Sequence, residues 1–264
     1  MQETRKRAFL IGDLHQDFKP VRELYKRNLE ELKLTENTLI CLGDFGALFF
    51  FNYRDRNFKQ QLKKYPFTYF IIRGNHEQRP SICIKQEPDK WHIEEYWGNQ
   101  VYVENDYPYI KYALDTVAIY NAETASNVYK TLVIPGAYSV DKYKRLECGW
   151  SWFPSEQLSK EEMERGKKLI ERNSAVDLVL SHTCPIIYEP TDLFLSVVDQ
   201  SLVDKSMEKY MGEIEKDLDY RGWCWGHFHQ FRDYPRLDGR FRTMLFNDFA
   251  LDLDEYMNGQ INKL

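Results

Sequence analysis

The stretch Ala8-Phe9-Leu10-Ile11-Gly12-Asp13-Leu14-His15 sets an apolar run directly against a glycine, a carboxylate and an imidazole. Four apolar residues without polar alternation read as a strand buried on both faces, the habit of parallel sheets. The arrangement recurs: residues 38–42 run into Gly43-Asp44, and residues 68–72 into Arg73-Gly74-Asn75-His76-Glu77. Asp13, Asp44 and Asn75 fall at equal intervals, each about the length of one βα unit. Between them, residues 20–32 carry Val21, Leu24, Tyr25, Leu29 and Leu32 near helical spacing, and residues 53–62 read as a second helix. A βαβαβ start implies right-handed crossovers, and the loops that follow parallel strands open on one side of the sheet. The glycine-led polar clusters are therefore expected to converge.

Working outward, β-rich pieces at 101–103, 116–120 and 131–134 suggest a mixed sheet. Ser159-Lys160-Glu161-Glu162 reads as a capping box with Leu158 and Met163 as its staple, which predicts a helix reaching about Arg172. The apolar run 176–180 leads into Ser181-His182, a helical stretch covers about 202–218, and 223–225 leads into Gly226-His227-Phe228-His229. Asp238-Gly239 predicts a hairpin turn ahead of the run 241–246. Every histidine except His92 thus stands at a strand end. His92 lies in a polar stretch and is read as a surface residue. No repeat or linker interrupts the pattern, and a single domain over 1–264 is expected.

Composition sets outer bounds. In 264 residues, 43% hydrophobic and 29% charged, there is sequence enough to bury a full core. A net charge of −5 supplies no basic field to gather nucleic acid, which is not favoured as a partner. Cys41, Cys83, Cys148, Cys184 and Cys224 form no CxxC pair and read as free thiols of a cytoplasmic protein. Cys41, Cys184 and Cys224, near the polar clusters, are read as small apolar strand residues. Arg5-Lys6-Arg7 precedes too short an apolar run for a signal peptide, and no run approaches the roughly 20 residues of a membrane span. Phe49-Phe50-Phe51 with Tyr53 is read as core packing rather than a base-stacking platform. The basic groups 142–145 and Arg236, Arg240 and Arg242 are read as solvated faces.

Carboxylate, imidazole and amide oxygen are donors suited to Mn, Fe or Zn, and a carboxylate can bridge two ions. Two ions about 3.5–4 Å apart would polarise phosphoryl oxygens and supply hydroxide at neutral pH. The ordered series GDLH, GDFG, GNHE, an isolated SH after a strand and a terminal GHFH, spanning residues 12–229, resembles the calcineurin-like metallophosphoesterases. The resemblance implies a four-layer α/β/β/α sandwich with two mixed sheets flanked by helices. It implies a first metal on Asp13, His15 and His229, a second on Asn75, His182 and His227, and Asp44 shared by both. His76 matches the family's general acid. Mn is expected first, with Fe, Zn or Ni also suited. The implied activity is hydrolysis of a phosphorylated substrate, as a phosphatase acting on monoesters through a hydroxide shared by the two ions. A phosphodiesterase or nuclease on the same centre is the alternative, and a noncatalytic metal-binding module the third reading.

Gly136-Ala137-Tyr138-Ser139-Val140-Asp141-Lys142, followed by Trp150-Ser151-Trp152, resembles a segment of small bacterial and phage-borne members. There is one departure. Where the Ser/Thr phosphatases place a histidine-orienting aspartate and a phosphate-gripping arginine in GDxxDRG, this chain has Ala47 and Leu48. Arg73, Arg79 and Arg145 are the candidates to bind phosphate instead.

Overall fold

The computed structural model describes residues 5–264. The three apolar runs form β1 (Arg5–Ile11), β2 (Thr35–Cys41) and β3 (Phe67–Ile71). They pair in parallel, with Ile11 opposite Cys41 and Cys41 opposite Ile71. Because the strands end level, the polar loops that follow leave the sheet side by side.

The helix expected over 20–32 is instead two, α1 (Lys19–Arg27) and α2 (Leu29–Leu32). Asn28 breaks it: its backbone N–H and side-chain amide both donate to the Leu24 carbonyl, at 3.2 and 3.0 Å, closing the first helix. α3 (Tyr53–Leu62) starts where the Asn52 side chain accepts from Arg54 N at 2.8 Å. α4 (Pro80–Gln86) leads to the antiparallel pair β4 (Trp91–Tyr96) and β5 (Asn99–Glu104), turned by Trp97 and Gly98, both at positive φ. β6 (Ile110–Tyr112) returns parallel to β3.

The second sheet is built from β7 (Ala118–Glu123), β8 (Val128–Ile134), β9 (Leu178–Ser181), β10 (Gly222–Trp225), β11 (Arg232–Asp233) and β12 (Phe241–Met244). Its helices are α5 (Lys142–Cys148), α6 (Lys160–Glu171) and α7 (Ser206–Asp217). β8, β9, β10 and β12 run parallel, with β7 and β11 antiparallel at the edges. Gly239, at φ 80°, turns the chain between β11 and β12 near the expected place. β13 (Leu251–Asp252) then crosses back to pair antiparallel with β1, and α8 (Leu253–Met257) closes the chain. The strand orders are β13-β1-β2-β3-β6-β5-β4 and β11-β12-β10-β9-β8-β7.

Alternation along each strand sorts the apolar residues into three cores. Leu10, Ile40 and Phe70 of the first sheet meet Val133, Leu180 and Cys224 of the second. Phe9 and Leu39 face Val21, Leu24 and Phe58 of the outer helices, while Val179 and Trp223 face Ile170, Met207 and Met211 of α6 and α7. The result is four layers, helix on sheet on sheet on helix. No described helix is long and apolar enough to cross a membrane.

Arg242, read as part of a solvated face, is buried and donates to Tyr220 Oη at 2.7 Å and Glu215 at 2.8 Å. His92 is exposed, as expected, and Cys41, Cys184 and Cys224 are buried and free.

The capping box of α6 is complete. Ser159 Oγ accepts from Glu162 N at 3.2 Å, and the Glu162 carboxylate accepts from Ser159 N at 2.8 Å. Ser159→Ala should lower the unfolding free energy by about 1 kcal/mol in urea titration. An unchanged midpoint would show that the cap contributes nothing to the fold.

Candidate metal centre

The loops after β1, β2, β3, β9 and β10 bring all seven expected ligands together. Asp13 and Asp44 lie at the bottom, 0% and 1% exposed. On one side, His15 Nε2 is 3.8 Å from Asp44 Oδ2, His229 Nε2 is 3.8 Å from Asp13 Oδ1, and the two imidazole nitrogens are 2.9 Å apart. Ligand atoms of Asp13, His15, Asp44 and His229 all fall within 4.8 Å of one another. On the other side, His182 Nε2 is 3.5 Å from Asp44 Oδ1 and 2.9 Å from Asn75 Oδ1, and His227 Nδ1 is 3.1 Å from the same amide oxygen. Asp44 thus stands between two groups of donors.

The backbone is bent to achieve this. His15, Asp44, His227 and His229 all sit at positive φ, between 46° and 71°. Such conformations cost on the order of 1–3 kcal/mol each and persist only where surrounding contacts enforce them. The enforcing bonds are present: His15 N donates to Asp44 O at 2.8 Å, His76 N to Asp44 Oδ1 at 2.8 Å, and His227 N to Asp13 Oδ2 at 2.9 Å. Two glycines make room. A Cβ on Gly74 would collide with the Asp44 carboxylate, and one on Gly226 with that of Asp13.

Outer partners orient the donors. His182 Nδ1 donates to the Leu42 carbonyl at 2.7 Å, which aims Nε2 into the cluster. Asn75 Nδ2 donates to Ser139 Oγ at 2.9 Å, leaving its amide oxygen facing the histidines. Ser139 Oγ in turn donates to Glu156, which also accepts from Trp152 Nε1 at 2.9 Å. Glu77 accepts from Gly46 N at 2.9 Å and Gly74 N at 3.3 Å, tying the second loop to the third. Sequence reasoning missed Ser139 and Glu156 as supports of Asn75. The only signal was that Ser139 and Trp152 fall in the two short segments already singled out.

The electrostatics fit a cation. Burial, reinforced by the Asp44 charge, pushes the Asp13 carboxyl up to about 7. Burial pushes His229 down to about 4, with His15 adding to the effect, so this imidazole is in its neutral, ligating form. At His182 burial is outweighed by Asp44, which raises it to about 9. The cluster therefore favours positive charge beside its carboxylates, and its N and O donors suit a borderline divalent metal.

His76 stands at the edge. Its Nδ1 is 3.7 Å from Asp44 Oδ2, and Phe49 stacks on its ring at 5.8 Å between centroids. Arg145, on α5, places Nη2 3.1 Å from His76 Nδ1 and in closer contact with Nε2, while Asp141 holds its Nε at 2.7 Å. A guanidinium can only donate, so His76 accepts from it. Burial, aided by Arg145, pushes His76 down to about 4. Both facts make the imidazole neutral at pH 7.

Of the three arginines expected near phosphate, Arg145 alone reaches His76. Arg73 is 2% exposed and donates to the Gly74 and Glu156 carbonyls. Arg79 is buried in a bidentate pair with Glu162 and further bonds to the Ser155 and Gln157 carbonyls. Proximity to Asn75 in sequence misled here, because both side chains turn away from the cleft. The expectation of core packing for Phe49-Phe50-Phe51 with Tyr53 holds only in part, Phe49 and Phe50 being half-buried. Phe51 is 54% and Tyr53 69% exposed, and the turn is held by Asp55, which accepts from the N–H groups of Phe49, Phe50 and Phe51.

A sequence model of the family described as calcineurin-like phosphoesterase matches residues 6–231. Among solved structures, the chain is similar to TT1561 of Thermus thermophilus, at 12% identity and TM-score 0.51, covering 95% of this chain and 96% of that one. It is also similar to a dimetal phosphatase from Danio rerio, at 9% identity and TM-score 0.47, covering 95% and 96%. At 12% identity the likeness to the first is one of fold. No curated protein sequence matches the chain.

Metal binding must displace the protons that Asp13 and His182 hold in the metal-free protein. Affinity for Mn should therefore rise from about pH 6 to about pH 9, with proton release in calorimetry run in buffers of different ionisation enthalpy. A flat profile without proton release would remove these two groups from the ligand set.

Proposed function

The chain belongs to the calcineurin-like phosphoesterase family, and from that premise we propose that it is a phosphomonoesterase working on two divalent ions. Membership and the Asp–His cluster make it a metal-dependent hydrolase of phosphoric esters. The monoester assignment is carried by one observation: Arg145 and His76, in contact with each other, overhang the edge of the donor cluster. A monoester dianion presents one more negative charge than a diester, and a guanidinium beside the metals matches it.

In this reading Asp13, His15 and His229 would hold one ion, Asn75, His182 and His227 the other, and Asp44 would contribute to both. Bound ions polarise phosphoryl oxygens and lower the pKa of water, so that hydroxide is available near neutral pH. Manganese is the working metal we assign, and the imidazole, carboxylate and amide donors support it while also suiting Fe, Zn or Ni. The five free cysteines support a reducing compartment, the cytoplasm.

The protein's own residues supply the rest. His227 and His76 backbone N–H groups fix the two carboxylates, and Phe49 fixes the plane of the His76 ring. Arg145 occupies the nitrogen face of His76 in the free protein and is the group a phosphate oxygen would draw away. Once Arg145 turns to phosphate, His76 is released from accepting its hydrogen bond, and the added negative charge favours uptake of a proton from solvent to give the imidazolium. The imidazolium then gives its proton to the departing ester oxygen, so the alcohol leaves neutral.

With Mn supplied, an aryl phosphate monoester should be hydrolysed with kcat/KM at least about tenfold above the matching diester; the reverse order would overturn the assignment. His76→Ala should lower kcat by about 10²–10⁴ while bound metal, measured by elemental analysis, stays constant. Equal loss of metal and turnover would make His76 a ligand.

A further inference from the structure

The metal donors form the floor of a cleft of about 460 Å³, lined by Asp44, Asn75, His76, His227 and His229. That volume is in the range of small-molecule sites. Its walls are of a different character. Tyr138 and Val140 reach the cleft from the segment after β8, and Leu193, Phe194, Leu195 and Val198 from the segment after β9.

Apart from the buried Tyr138, these apolar side chains are not spent on the core. Val140 is 43% exposed, Leu193 37% and Leu195 61%. Apolar surface left facing water in one contiguous place is the mark of a binding surface rather than of folding. The charged groups at the same cleft are already engaged. Asp141 pairs with Arg145 at 2.7 Å, Glu189 with Lys205 at 2.8 Å, Asp204 accepts from Ser206 N at 2.9 Å, and Glu208 accepts from Thr183 Oγ1 at 2.7 Å. Gln200, Gln230 and the unpartnered Glu208 Oε2 also reach the cleft, but the 193–198 wall itself offers a ligand hydrocarbon.

The wall is also held in place. Arg232 grips Asp192 with two bonds, at 2.9 and 2.7 Å, and Tyr234 Oη donates to the Tyr188 carbonyl at 2.7 Å. Lys205, paired with Glu189, lies 4.8 Å over the Phe194 ring. A surface fixed before binding does not spend affinity on ordering itself.

Resting on the phosphomonoesterase reading, we infer that the ester's alcohol is apolar: the phosphate sits at the metal floor, and an alkyl or aryl body lies between Tyr138 and Val140 and the 193–198 wall. Sugar phosphates and phosphopeptides with polar surroundings are poorer fits, since hydroxyls and amides laid against the 193–198 wall would lose water without gaining partners.

The test uses the Mn-loaded full chain and a series of methyl, butyl and hexyl phosphates, with phenyl phosphate as the aryl arm. The alkyl members differ chiefly in apolar area, and kcat/KM should rise by about fourfold per buried methylene. Binding of the non-hydrolysable methyl, butyl and hexyl phosphonates, measured by calorimetry, should follow the same gradient. Phe194→Ser with Leu195→Ser should cut the hexyl-to-methyl ratio at least about tenfold in both measurements. Phenylphosphonate binding tighter than hexylphosphonate, free of the leaving-group difference between phenol and hexanol, would mark the body as aryl, and the reverse as alkyl. Hydrolysis of every ester with no dependence on length would overturn the inference and leave the phosphomonoesterase standing. Graded phosphonate binding without hydrolysis of any ester would uphold the apolar cleft and sink the catalytic reading. Neither gradient nor hydrolysis would end both.

Discussion

Two carboxylates, Asp13 and Asp44, are shut away from water among five imidazoles, and only cationic charge makes that burial tolerable. An ionised carboxylate deprived of water is costly unless it is paired and hydrogen-bonded. Here the hydrogen bonds come from the backbone N–H groups of His76 and His227, while most of these imidazoles are held neutral by burial, Asp13 is pushed toward its protonated form, and full ionisation of both carboxylates calls for added cations. His182 carries part of the positive charge in the metal-free protein, and does so because it lies against Asp44. Ions that bind such a site contribute their binding energy to the folded state, because the unfolded chain offers no comparable site.

The rest of the architecture can be understood as what brings these groups to one point. Level strand ends put the first three loops side by side, and the second sheet delivers His182, His227 and His229 from the opposite side of the interlayer core. The loops must then turn tightly, hence the left-handed backbone at four ligands and the glycines that give the carboxylates room. Strain and function coincide here because the same close approach demands both. The supports of Asn75 and His76 come from the segment between β8 and α6, which also contributes one wall of the cleft.

Much of this was legible in the residues. Strand, glycine and metal-type side chain recur in a local pattern, and parallel pairing converts that pattern into convergence. The capping box at Ser159 and the helix Tyr53–Leu62 were legible for the same reason, their signals being contained within a few residues. The break at Asn28 was not, because apolar spacing runs straight through it while a side-chain amide diverts the backbone. Arg73 and Arg79 were misjudged because nearness along a chain says little about which way a side chain points. Phe49 to Phe51 looked like core because an apolar run usually is core; what turns it at the rim, with Phe51 exposed, is Asp55, whose bonds to three backbone N–H groups leave no periodic trace. Glu156 acts on Asn75 only through Ser139, and no local pattern reports such a relay.

The central claim is that one buried carboxylate, Asp44, joins two metal sites. Crystals of the Mn-loaded protein, measured at wavelengths on either side of the Mn absorption edge, test it directly. The account predicts two anomalous peaks about 3.5–4 Å apart with Asp44 in contact with both. A single peak, or two peaks neither of which touches Asp44, would contradict it.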